Sequence, residues 1–251
     1  VKGRKNMRCE VKENGMTWID FSVSPAYQVK YPGVAFGLAL ITDCLPLRDT
    51  AGFDQHRRSL LRRMRKRETL AGISARIDIY DSFFRSFGFD CPLPGHLKRT
   101  VLSGFPRYNL MVDAHFMAEM CAGILVAVTD LDRIDGGLTL DVARGKETCA
   151  GMGGRRFTTV EGEIVLRDEK DIICVLCQGA DEKTRVCDDT RNVLFYSYAV
   201  PGIEAVHLRE GLGVAAGVMA GFADGNIRGI TVFEGTEVEP PENHDRLTGP
   251  R

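Results

Sequence analysis

Apolar residues recur at helical spacing at Leu110, Ala114, Met117 and Cys121, which predicts a helix with one buried face. The Asn109 side chain can cap its start, and Gly123 can take the left-handed conformation that ends it. Residues 124–129 are rich in β-branched side chains and read as a buried strand. Asp130 and Asp132 fall where that strand should end. Upstream, residues 18–23 alternate imperfectly and predict a strand, and residues 34–42 predict a stronger one. Asp54 is placed to cap a helix running to about residue 70, with Leu60, Leu61 and Met64 as its narrow apolar stripe. Ser74 is placed to cap the next, which buries Ile77, Tyr80, Phe84 and Phe87 and stops at Gly88. Pro94 suits the first turn of a short helix that Gly104 ends.

Between residues 136 and 200 the pattern changes to short strands separated by turn signals. The expected strands cover 138–142, 163–167, 171–177 and 192–200. Gly151-Met152-Gly153-Gly154 is a tight turn and not a dinucleotide fingerprint, because it opens no helix after a strand. Residues 204–222 form a helix whose Gly213, Ala215, Ala216 and Gly217 predict close packing on a sheet. Residues 230–233 make a last strand, and 236–251 read as a mobile tail.

The chain has 251 residues, 44% of them hydrophobic, enough for one large domain or two small ones. No repeat and no clean linker divides it. The expectation is one α+β domain over 1–235, helical to about 104 and β-rich from 105. A net charge of −1 gives no global field toward nucleic acid or membrane, so local charge must carry any such argument. No apolar run approaches the ~20 residues that span a bilayer, so no membrane association is expected. The polar start carries no signal peptide. Eight scattered cysteines then read as free thiols of a cytoplasmic protein. Cys174-Val-Leu-Cys177 lacks the second pair that a zinc site wants. On a strand its two thiols face opposite sides. No metal and no cofactor are expected, and there is no G-x-S-x-G elbow, P-loop or H-E-x-x-H motif.

Local charge is concentrated in the helix carrying Arg57, Arg58, Arg62, Arg63, Arg65, Lys66 and Arg67. It is either a solvated basic face or a phosphate-contacting one, since guanidinium forks suit phosphate oxygens. His115 can orient or activate water near neutral pH, or it is a half-buried helix histidine. Asp113 lies early in its helix, where a carboxylate interacts favourably with the dipole. Asp130 and Asp132 can bind an amino group or position water, or else cap the turn that follows. Thr184 and Thr190 flank a short loop, and Glu182 sits beside Thr184.

Two blocks resemble the B3/B4 domain, the editing module of the phenylalanyl-tRNA synthetase beta subunit. That family carries V-D-x-T-N on a helix, followed by G-Q-P-x-H-A-F-D. Val112, Asp113, Gly123 and Asp130 match without a gap. A second family block reads G-G-E-x-S-x-V, an acidic pair, T and N-V-L-L-E. Glu182, Thr184, Val186, Asp188, Asp189, Thr190, Asn192, Val193 and Leu194 fall in register with it. The upstream part from Tyr31-Pro32-Gly33 looks like free-standing proteins that carry this domain alone. The resemblance implies a three-layer fold with a β-sandwich core. It also implies hydrolysis of a mischarged aminoacyl-tRNA ester, or the alternative of a non-catalytic module binding tRNA or an amino acid. The implied catalytic residues are His115, Asp130 and Thr184. Asp113, Asp132, Glu182 and Thr190 would bind substrate, and Arg57, Arg58, Arg62, Arg63 and Lys66 would bind tRNA. The family's threonine, asparagine, histidine and final glutamate fall on His115, Phe116, Ala127 and Tyr196. The last three replacements exclude the sorting of tyrosine from phenylalanine that the synthetase residues perform.

Overall fold

A computed structural model describes residues 7–13 and 16–234; the tail expected over 236–251 lies outside them. The described residues open with a hairpin of β1 (Met7–Glu13) and β2 (Met16–Val23). A short helix α1 (Pro25–Lys30) and strand β3 (Phe36–Thr42) follow. Helices α2 (Thr50–Met64), α3 (Arg67–Ser86), α4 (Leu93–Ser103) and α5 (Leu110–Ala122) then run in succession to β4 (Leu125–Asp130). Short strands come next: β5 (Leu138–Val142), β6 (Thr148–Ala150), β7 (Arg156–Thr158), β8 (Ile164–Arg167), β9 (Ile172–Val175) and β10 (Gly179–Ala180). The last described elements are β11 (Val193–Tyr198), α6 (Ala205–Ala223) and β12 (Asn226–Phe233).

The strands make a six-stranded sheet, β1-β2-β5-β8-β9-β10, and a four-stranded sheet, β12-β3-β11-β4; β6 and β7 pair by themselves. The two larger sheets face each other. Phe21 on β2 stacks on Phe36 of β3 and Phe233 of β12, with ring centroids 5.2 and 4.5 Å apart. The other face of the four-stranded sheet carries α6 and α5. Gly37 lets α6 approach β3, since a Cβ there would lie 2.6 Å from Leu212 Cδ1. The architecture is therefore α+β in three layers around a β-sandwich, and its main apolar cluster draws side chains from both halves of the sequence.

Several elements differ from the sequence reading. Asp49, not Asp54, caps α2 by accepting from the Gly52 amide at 2.9 Å. The helix breaks at Arg65–Lys66, and α3 starts at Arg67, so Ser74 lies within it. Buried Met111, Ala114, Met117, Ala118, Glu119 and Met120 encircle α5, because it sits inside a sleeve of α2, α3, α4 and α6. On α6 the tight contact is at Gly211, where a Cβ would meet Ile124 Cδ1 at 2.6 Å; Gly213 and Gly217 face open space. The first part also supplies three strands, and the second part holds α5 and α6, so helices and strands alternate more than the 104/105 division implied. Among the described residues no helix is long and apolar enough to cross a membrane.

Candidate functional site

At the start of α5 the Asn109 side chain accepts from the Val112 amide at 2.9 Å, as its cap should. One turn in, Asp113 accepts from the Tyr108 amide at 2.7 Å and fixes the incoming loop. Burial raises the Asp113 pKa, against the pull of that amide and of the Arg57 and Arg107 charges. Arg57 also turns inward. It pairs with Asp54 at 3.2 Å and donates to the Phe105 and Pro106 carbonyls. Its guanidinium therefore braces the loop before α5 instead of lying free on the basic face.

Further along α5, His115 and Glu119 are one turn apart and share a side. Glu119 is 2% exposed, yet its carboxylate meets three groups. His115 Nε2 lies 3.3 Å from Oε1, His96 Nδ1 of α4 lies 3.4 Å from Oε2, and the Val126 amide on the free edge of β4 donates to Oε1 at 3.3 Å. Burial pushes the Glu119 pKa up, but His115 and His96 outweigh it and hold the carboxyl below its ordinary range. Phe116 sits between the two imidazoles, with centroids 4.9 Å from His115 and 5.0 Å from His96. Its ring also stacks with that of the exposed Tyr108.

The end of β4 forms a separate knot. Thr190 Oγ1 donates to Asp130 Oδ2 at 2.7 Å, and the Asp130 amide donates to the Thr184 carbonyl at 2.8 Å. Asp130 also accepts from the Asp132 amide, while both Asp132 oxygens accept from Asn192 Nδ2 at 3.0 Å. Thr184 Oγ1 donates to Asp181, whose pKa burial raises. Glu182 lies outside the knot, accepting from the Gly153 amide at 2.7 Å and pairing with Arg185 at 2.6 Å. The structure thus joins Asp130, Asp132, Thr184 and Thr190. No hydrogen bond or ion pair among the described residues links them to Asp113 or His115. Tyr196 lies opposite Ala127 across β11 and β4, fully buried, with its hydroxyl near Cys174. Cys174 and Cys177 are both buried.

The basic face is real. Arg58, Arg62, Arg63, Lys66 and Arg67 are exposed around the bend between α2 and α3. Arg65 donates to the Val101 carbonyl, tying this bend to α4, where Lys98 and Arg99 are exposed. An open depression of about 600 Å³ lies elsewhere, at α1 and β5, lined by Ser24, Lys30, Asp141, Arg144 and Glu161 among others. Sequence reading missed Glu119 and His96. The signal for Glu119 was a carboxylate late in an apolar helix, four residues after His115; nothing local marked His96.

A buried carboxylate between two imidazoles, beside a β-sandwich and a basic helix bend, defines a layered α+β protein with a polar centre at its helix layer. Residues 80–212 match the model of the B3/4 domain family, and the chain belongs to that family. Its fold is also similar to the N-terminal fragment of the phenylalanyl-tRNA synthetase beta-subunit from Pyrococcus horikoshii, with a TM-score of 0.49 and 12% identity over 88% of this chain. That match takes in 55% of the fragment, so the chain spans about half its length. No match to a curated protein was found.

Proposed function

We propose that this protein binds tRNA in the cytoplasm and hydrolyses the ester of a mischarged aminoacyl-tRNA, with residues 1–235 acting as one unit. The observation that carries this reading is the row of exposed cations at the α2–α3 bend, just upstream of the B3/4 match. Arg58, Arg62, Arg63 and Lys66 have no ion pair among the described residues. They present guanidinium and ammonium groups suited to phosphate oxygens. An aminoacyl ester is reactive enough that positioning and charge stabilisation supply much of the required acceleration.

A second reading, a binding module without turnover, has its own support. Asp130, Thr184 and Thr190 spend their side chains on one another and on the loop. Tyr196 fills its position in the sheet. One panel separates the readings: tRNAs mischarged with each amino acid, followed for ester loss and for equilibrium binding. Ester loss above the spontaneous rate supports editing. Binding without loss supports the module, and neither binding nor loss overturns both.

A further inference from the structure

The buried Glu119 carboxylate has no ordinary structural purpose equal to its cost. An ionised carboxylate taken out of water is expensive unless paired and hydrogen-bonded. One backbone amide, that of Val126, does not need a charge to satisfy it. The carboxylate is instead bracketed by imidazoles from two helices, His96 of α4 and His115 of α5. The other titratable groups near it are Tyr80 of α3 and Cys91 before α4. Burial raises both, the cysteine to about 12, so both stay neutral and leave the carboxylate to the histidines.

A carboxylate facing one ring nitrogen favours the tautomer with its proton there, leaving a lone pair on the other nitrogen. The other nitrogens are His96 Nε2 and His115 Nδ1. Neither is among the buried polar atoms, and neither has a protein hydrogen bond. The two side chains are 19% and 20% exposed. Each imidazole therefore backs onto the buried carboxylate, at 3.3 Å for His115 and 3.4 Å for His96, and is open in front; His96 Nδ1 and Glu119 Oε2 make no hydrogen bond among the described residues. Phe116 and the exposed Tyr108 form an aromatic surface next to them; exposed Lys98 and Arg99 lie on α4, and exposed Arg107, paired with Asp54 at 3.3 Å, lies in the loop before α5. Aromatic faces stack unpaired bases, and cations hold the flanking phosphates.

We propose that His96, Glu119 and His115 form an acid–base centre that hydrolyses an acyl ester on a nucleotide terminus. This rests on the editing reading for its substrate and adds the residues that move the proton. An outward imidazole nitrogen takes a proton from water as the water oxygen bonds to the acyl carbon. The tetrahedral adduct then expels the ribose oxygen, which takes that proton back from the imidazolium. The products are a free hydroxyl and a carboxylic acid. The histidines are the catalytic residues, and Glu119 is a positioning residue acting through them.

The test uses two probes, p-nitrophenyl acetate and mischarged tRNA, with the full chain and its His96→Gln, His115→Gln, doubly substituted and Glu119→Gln variants. Circular dichroism and thermal melting check each fold, and His207→Gln on α6 is the control that should retain full rate. Wild-type turnover should climb with pH. The double variant should lose at least about a hundredfold and flatten that profile, with added imidazole restoring part of the rate. Glu119→Gln should lower kcat and leave KM in place. If Glu119→Gln fails to fold, the histidine variants decide. Cleavage of p-nitrophenyl acetate that depends on the histidines, without cleavage of any charged tRNA, supports the centre and overturns the editing reading. Deacylation of tRNA that survives in the double variant overturns the centre and leaves the editing reading standing. No hydrolysis of either probe by wild type overturns both.

Discussion

Neutralising Arg62, Arg63 and Lys66 together should change how tRNA binding responds to salt. All three are exposed on one bend and have no competing carboxylate among the described residues. Each phosphate neutralised releases condensed counterions, contributing a slope of about 0.9 in log affinity against log salt for a duplex and about 0.7 for a single strand. Removing three contacts should therefore flatten the slope by between about two and about three. The side chains are solvent-exposed and only Met64, Leu60 and Phe53 of this helix are buried, so the triple glutamine variant should melt with the wild type. The assay is equilibrium binding of uncharged tRNA from about 50 to about 200 mM salt. Arg57→Gln is the contrast. Its guanidinium braces the 105–106 loop, so it should lower the melting temperature more than the slope. An unchanged slope in the triple variant, with affinity intact, would return the bend to a solvated face.

Other consequences are more local. Glu119 has a pKa depressed below its unfolded value, so its stabilisation is present above the unfolded pKa of about 4.5 and is lost as pH falls through the folded one. Melting followed downward from pH 6 should show this loss in the wild type and lack it in Glu119→Gln. Gly123→Ala should destabilise by about 1–3 kcal/mol, because its φ is 65° and a Cβ would lie 2.9 Å from the Ile73 carbonyl oxygen. Chemical denaturation measures that directly. Thr184→Val and Asp130→Asn should lower stability, since each breaks a buried hydrogen bond worth about 1–3 kcal/mol when its partner is stranded. A large loss of turnover with stability unchanged would restore both to the catalytic set.

The legible parts of the chain are those whose signals are local. Asn109 and Gly123 bound α5 because a side-chain cap and a left-handed stop act within a few residues. Gly104 ends α4 for the same reason. The bend at Arg65–Lys66 was illegible because both residues are good helix formers, and no side-chain cap marks the start of α3. Glu119 and His96 are far apart in sequence and meet only when α4 packs on α5. Motif register grouped Asp130, Thr184 and Thr190, which the structure joins by hydrogen bonds. Their hydrogen bonds, which turn them toward the fold, depend on how the loop before β11 closes.

The most direct test of the account is the rate at which substoichiometric protein frees amino acid from mischarged tRNA. Editing predicts repeated turnovers, with all charged species of the cognate mischarge consumed well before spontaneous hydrolysis. Tight binding with ester loss at the spontaneous rate, across the whole panel of amino acids, would contradict it.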